Sequence, residues 1–209
     1  MNLTFKYDPT REVFPLKVGF KSQNSAELTE FAKRAQVEKI DIQDVDAVAR
    51  LSRLIIHEAK IDVDAVRTNF QAKWNLVQEE SVRKFQAMFA SHYDLGELTA
   101  FLTVSMRCPY NIAKRFFFVP FFAKFPIRIC LHELQHFYCY DFLYPIFAAQ
   151  GNQDKFNEFK ESLTILLNEP FREILEKPDD GYPQHVKSRE RILAQFGSGK
   201  TLREMAEEW

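Results

Sequence analysis

The chain has 209 residues, 46% of them hydrophobic, enough to bury one good core with an N-terminal helical region attached. Lysine plus arginine (28) almost balance aspartate plus glutamate (29), and the formal net charge of −1 gives no electrostatic reason to expect nucleic acid or an anionic membrane as partner. The three cysteines, Cys108, Cys130 and Cys139, are odd in number and lack paired spacing, which speaks against a disulfide framework and for a reducing compartment.

In chain order, Met1 to Pro9 shows no basic start followed by an apolar run, so no signal peptide is predicted and a cytoplasmic location is expected. Phe14, Leu16, Val18 and Phe20 alternate with Pro15, Lys17 and Gly19, which predicts a half-buried strand over residues 12 to 21, with its proline at a sheet edge. Ser25 is placed to cap a short helix reaching about Val37. Val45, Val48, Leu51, Leu54 and Ile55 recur at helical spacing and predict a helix from Asp44 to His57. Val63, Val66, Phe70, Trp74, Val77, Phe85 and Phe89 predict another from Asp62 to about Ser91. Residues 1–93 thus form a mostly helical N-terminal region with one strand and no catalytic motif. His57 has Ile61 where a second histidine would stand, and His92 falls at a helix end.

After a turn at Asp94-Leu95-Gly96, alternation from Thr99 to Met106 predicts a strand, and Pro109-Tyr110-Asn111 turns the chain. A second extended run, Arg115 to Phe122, contains Pro120 and is therefore expected at an edge, where an extended peptide can be held by main-chain hydrogen bonds. Pro126 suits the first turn of a helix that runs to Ala149 and stops at Gly151. A following helix is predicted from Gln153 to Glu176, then a loop over Asp179 to Pro183 and two short charged helices, Val186 to Phe196 and Thr201 to Trp209. Lys124, Arg128 and Asp141 interrupt the very apolar stretch from Phe116 to Ala149, so no membrane span is predicted. Gly197-Ser198-Gly199-Lys200-Thr201 is not a phosphate-binding loop, because Ala194 stands where its first glycine belongs and a helix precedes it. The expected fold is α+β and mainly helical, with a small antiparallel sheet packed on the helix from Pro126 and the helix after it. Residues 94–209 form the expected catalytic region.

Leu131-His132-Glu133-Leu134-Gln135-His136-Phe137 contains the pattern HExxH. On a helix, residues four apart stand one above the other, so His132 and His136 can share one metal ion while Glu133 meets a water on it. Zinc takes neutral imidazole nitrogens, a third protein ligand and a water, and an adjacent carboxylate serves as general base. Two core histidines satisfied by hydrogen bonds are the plain alternative. The metzincin third histidine is missing, since Phe142 holds its position and Cys139 that of the glycine. The next helix offers Glu158, Glu161 and Glu169. Glu158 and Glu169 share a face with Lys155 and Ser162, whereas Glu161 shares a mixed seam with Thr164, Ile165 and Asn168. Glu161 is therefore the expected third ligand, with Asn168 as a hydrogen-bonding partner behind the ligands.

A helix bearing HELQH, a short crossover and a second helix bearing Glu161 resemble the gluzincin metallopeptidases, and in compactness the catalytic cores called minigluzincins. The resemblance covers roughly residues 97 to 190, and the sequence Lys160-Glu161-Ser162-Leu163-Thr164 departs from the Asn-Glu-x-x-Ser-Asp form of the thermolysin branch. It implies a zincin-like fold, Zn2+ held by His132, His136 and Glu161, Glu133 as general base, and a peptide or protein substrate lying antiparallel to the upstream edge strand. It also implies an oxyanion donor beyond the glutamate helix, a role open to Tyr182 or His185. The function expected is that of a zinc-dependent peptidase. The alternatives are a non-peptidase zinc-binding protein with a structural metal and a partner-binding helical region, or a zinc hydrolase of another amide or ester.

Overall fold

The computed structural model describes residues 1–20 and 44–209, and the helix expected from Ser25 to Val37 lies outside them. The architecture is α+β and mainly helical, with one four-stranded sheet. The chain forms two compact units that interleave along the sequence: Asn2–Trp74 with Glu97–Pro126, and Met1 with Asn75–Gly96 and Ile127–Trp209.

The first unit holds the sheet. Its strands are β1 (Asn2–Lys6), β2 (Glu97–Thr103), β3 (Tyr110–Asn111) and β4 (Phe116–Pro120), in the order β1-β2-β4-β3. β2 runs parallel to both β1 and β4, and only β3 pairs antiparallel with β4, so the sheet is not the antiparallel one expected. The reason lies in the segment after β2, where Tyr110-Asn111 forms a strand of its own. The hairpin partner of β4 is this short strand, which frees β4 to run alongside β2. Nor is β4 an edge at Phe116 and Phe117, where it is flanked on both sides; the sheet ends in β1 and β3. The five residues of β4 are all buried, as in a sheet covered on both faces.

Where a strand is expected over residues 12 to 21, the described residues up to Phe20 form a 3-10 turn and a helix instead. Asp8 caps a 3-10 turn, Pro9–Glu12, by accepting from Thr10 N at 3.0 Å, and a helix follows over Val13–Phe20 with Pro15 tolerated in its first turn. The strand of this region is β1, whose Leu3 and Phe5 point inward between Asn2, Thr4 and Lys6. The edge of β1 is closed by one side chain: the Gln71 amide accepts from Phe5 N at 2.9 Å and donates to Leu3 O at 3.0 Å, which satisfies groups that an edge strand leaves open. Phe101, Phe116 and Phe118 cluster on one face of the sheet, with Phe14 beside them and the Arg11 guanidinium 4.5 Å from the Phe101 ring centroid.

Glu12 fixes the 3-10 turn to the end of β2. It is fully buried, and its carboxylate accepts from Thr103 Oγ1 at 2.5 Å, from Val104 N at 3.0 Å and, more distantly, from Ser52 Oγ at 3.5 Å. Tyr7 OH lies 2.5 Å from the same Ser52 hydroxyl. Burial raises the Glu12 carboxyl to about 7, against the lowering effect of those hydrogen bonds. Between pH about 4.5 and about 7 the folded chain binds the proton more tightly than the unfolded one. This contribution to stability is therefore complete below about 4.5 and is lost as pH rises through about 7. Urea denaturation at pH 5 and pH 8 should show wild type losing roughly 3 kcal/mol more than Glu12→Gln across that interval. Equal losses would remove Glu12 as the titrating group.

The helix Val45–Glu58 belongs to the unit that holds the sheet, and the second unit is built from helices. The helices Val45–Glu58 and Val63–Met88 match their expected spans closely; residues from Asn75 onward in the longer one belong to this unit. Phe85 stacks on Tyr138 at 4.9 Å and meets Phe171 at 4.6 Å, the centre of an aromatic core that takes up many of the chain's 21 phenylalanines. Cys130 and Cys139 are buried in it. Among the described residues no helix is long and apolar enough to cross a membrane.

Candidate metal centre

The motif helix runs over Pro126–Phe142, with Pro126 in its first turn and Ile127 N donating to Glu176 Oε2 at 3.1 Å, a carboxylate at the positive end of the helix. Leu131, Leu134, Gln135, Phe137 and Tyr138 are buried on every side of it, the pattern of a core helix. The helix ends before Ala149, because Pro145 has no N–H to continue the ladder; a short helix restarts over Tyr144–Ala149. The glutamate helix covers Gln153–Leu163 and then tightens to 3-10 over Thr164–Asn168, well short of Glu176. Pro170 is the cause the residue pattern carries, since it cannot donate and restricts Glu169 before it. Glu161 stands in the last turn of this helix.

The turn at Gly151 returns the chain so that His132, His136 and Glu161 meet, with one ligand atom from each all within 4.8 Å of one another. His136 Nε2 is 3.5 Å from Glu161 Oε1 and His132 Nε2 is 3.7 Å from Glu161 Oε2, too long for good hydrogen bonds. Tetrahedral ligands at about 2.0–2.1 Å from one ion stand about 3.4 Å apart, so the donor set fits a divalent metal. Glu133 lies between them in sequence and is buried, with Oε2 accepting no hydrogen bond from any described residue. The side chains of His132 and Glu161 keep 17% and 19% of their surface exposed, which leaves the site a path to solvent.

Behind the ligands stands Asp179, which the sequence places only in a loop. His132 Nδ1 lies 2.8 Å from Asp179 Oδ2, an arrangement that holds the proton on Nδ1 and turns Nε2 toward the metal position. The other Asp179 oxygen receives Gly181 N at 3.0 Å, Arg189 Nη1 at 3.3 Å and Thr164 Oγ1 at 3.0 Å. Arg189 Nη1 also donates to Thr164 Oγ1 at 2.7 Å, and Nη2 donates to Asp179 O at 2.5 Å. Asn168 brackets the same residue, accepting from Asp179 N at 2.7 Å and donating to Asp179 O at 3.0 Å. The Asn168 side chain, expected as a partner of Glu161, bonds the main chain of Asp179 instead. Gly181 has φ +63°, and a Cβ there would come within 2.2 Å of Arg189 Nη1, so glycine is needed both for the turn and for the guanidinium to pass.

The charges follow from burial and pairing. For Asp179, burial raises the carboxyl but His132, Arg189 and Thr164 outweigh it and hold it below its ordinary value. Glu161 is likewise lowered: burial works against ionisation, and His132, His136 and Lys160 more than offset it. Burial alone would lower His132, yet Asp179 and Glu161 bring it up to about 10 among the protein's own groups. Burial and the nearby positive charges of Lys160 and His132 push His136 well down, toward the neutral form a ligand needs. Burial raises Glu133 to about 8, with Glu161 and Asp179 adding to it against His132 and Lys160.

Tyr182 and His185 lie three and six residues beyond Asp179, with ring centroids 6.3 Å apart. Tyr182 is exposed and His185 half-buried. Reading the residues missed Asp179, Arg189 and Lys160. Its signals were the seam Thr164–Asn168, which faces Asp179, and the Asp-Asp-Gly loop. Comparison with family models, with curated proteins and with solved structures returns no match.

Asp179→Asn removes the charge while keeping the size, so that His132 Nδ1 meets either a neutral amide oxygen, a weaker acceptor than the carboxylate, or an amide nitrogen that cannot accept. Asp179→Asn should weaken divalent-metal binding about 10- to 100-fold in competition with a chromophoric chelator. Unchanged affinity would show that this contact does not orient the ligand.

Proposed function

We propose that the chain is a zinc-dependent peptidase with a zincin-like arrangement, acting on peptides or unfolded protein segments. The observation that carries this reading is the convergence of Glu161 on the two histidines of HExxH, with ligand atoms within 4.8 Å. Partial exposure at His132 and Glu161 favours a working site over a sealed structural one, because a catalytic metal keeps a position open to water and substrate.

In this reading His132, His136 and Glu161 are the residues that would hold Zn2+. A bound zinc ion supplies an acidified water and polarises the substrate carbonyl. Glu133, one residue round the helix from His132, takes the proton from the attacking water and passes it to the leaving amine. Asp179 keeps His132 oriented throughout. Tyr182 or His185, on the loop that Asp179 anchors, donates a hydrogen bond to the carbonyl oxygen as charge develops there.

The test is a peptide-library digest with wild type and Glu133→Gln, with metal content measured on both. Wild type should cleave, and the variant should keep its zinc and lose at least about 100-fold in turnover. A variant that retains its rate would remove Glu133 as the base. Zinc-loaded wild type that cleaves no peptide but hydrolyses small esters or other amides would transfer the same machinery to another substrate class.

A further inference from the structure

Lys160 is the charged side chain that the ligand set leaves out. It is only 3% exposed, although it lies next to a candidate metal ligand in the last turn of the glutamate helix. Lysine is almost never fully buried unless paired, and here Nζ donates to Glu161 Oε1. That oxygen is the one 3.5 Å from His136 Nε2, so an ammonium and a divalent ion would draw on the same carboxylate oxygen. The other buried cation, Arg189, is matched by Asp179. Lys160 donates to the candidate ligand itself, and the Glu133 carboxylate also lies within its electrostatic reach.

We propose that Lys160, acting through Glu161, competes with the metal for that carboxylate and thereby lowers the affinity of the site. The inference rests on the metal-site reading above. In a poorly solvated site a fixed positive charge beside a divalent ion is repelled strongly, and sharing Glu161 leaves the ammonium less neutralised. A neutral side chain of similar length therefore leaves the site better disposed to metal, while the metal-free chain loses its ion pair. A lysine that only packs, or only offsets the negative end of its helix, would change the metal-free and metal-loaded forms alike.

The experiment compares wild type, Lys160→Met and Lys160→Gln as full chains, by chelator competition for zinc and by melting temperature in a chelator and in excess zinc. Both variants should bind zinc at least about tenfold tighter and melt lower without it, so that zinc raises their melting temperature more than it raises that of wild type. A variant that folds only with zinc is the same result in its strongest form. Unchanged or weaker zinc affinity overturns the proposal, as does failure of both variants to fold even in zinc, which would make Lys160 a residue of the fold alone. Wild type that binds no zinc and shows no zinc-dependent shift defeats the metal-site reading itself, a different outcome from a wild-type shift that the variants merely reproduce.

Discussion

The site depends on one carboxylate. Asp179 joins the motif helix through His132, the 3-10 segment through Thr164 and Asn168, its own loop through Gly181 N, and the helix Val186–Gly197 through Arg189. These segments are brought together around a single buried charge, and one of its contacts leads to His132, a candidate metal ligand. The orientation of the His132 ring is therefore decided by residues far along the chain from the HExxH motif.

Burying Asp179 and Arg189 together is costly in solvation, and the geometry shows how the cost is offset. Thr164 Oγ1 and Gly181 N donate to the carboxylate, Thr164 Oγ1 and Asp179 O accept from the guanidinium, and Asn168 holds the Asp179 main chain. Such a network contributes less to net stability than to a single arrangement of its members, because removing any one of them leaves a buried charge unpaired. Gly181 is part of that arrangement by what it lacks, since a side chain there would occupy the space of the guanidinium. The same logic separates two buried cations among the described residues: Arg189 supports Asp179, and Lys160 touches the candidate ligand Glu161 directly.

Local pattern carried most of the helices and picked out three side chains that the fold brings together. HExxH is a short-range feature that depends only on helical periodicity, and Glu161 was distinguished from Glu158 and Glu169 by the polar seam it shares with Thr164 and Asn168, both of which do face the site network. What pattern could not carry was pairing between distant segments. The sheet was expected to be antiparallel because two extended runs follow one another, yet the strand that completes it with β2 is Asn2–Lys6, from the start of the chain. Residues 12 to 21 alternate in hydrophobicity, but the buried contact of Glu12 with Thr103 and Val104, more than ninety positions away, belongs to a 3-10 turn and a helix. Asp179 and Arg189 look like ordinary loop and surface charges in sequence, because burial is a property of what folds over them.

X-ray absorption at the zinc edge, on the zinc-loaded full chain beside Glu161→Ala, tests the central claim most directly. The account predicts a low-coordinate shell of nitrogen and oxygen at about 2.0–2.2 Å with two imidazoles in wild type, and loss of a carboxylate oxygen or of the metal in the variant. A sulfur scatterer at about 2.3 Å, a single imidazole, or a shell unaltered by Glu161→Ala would contradict it.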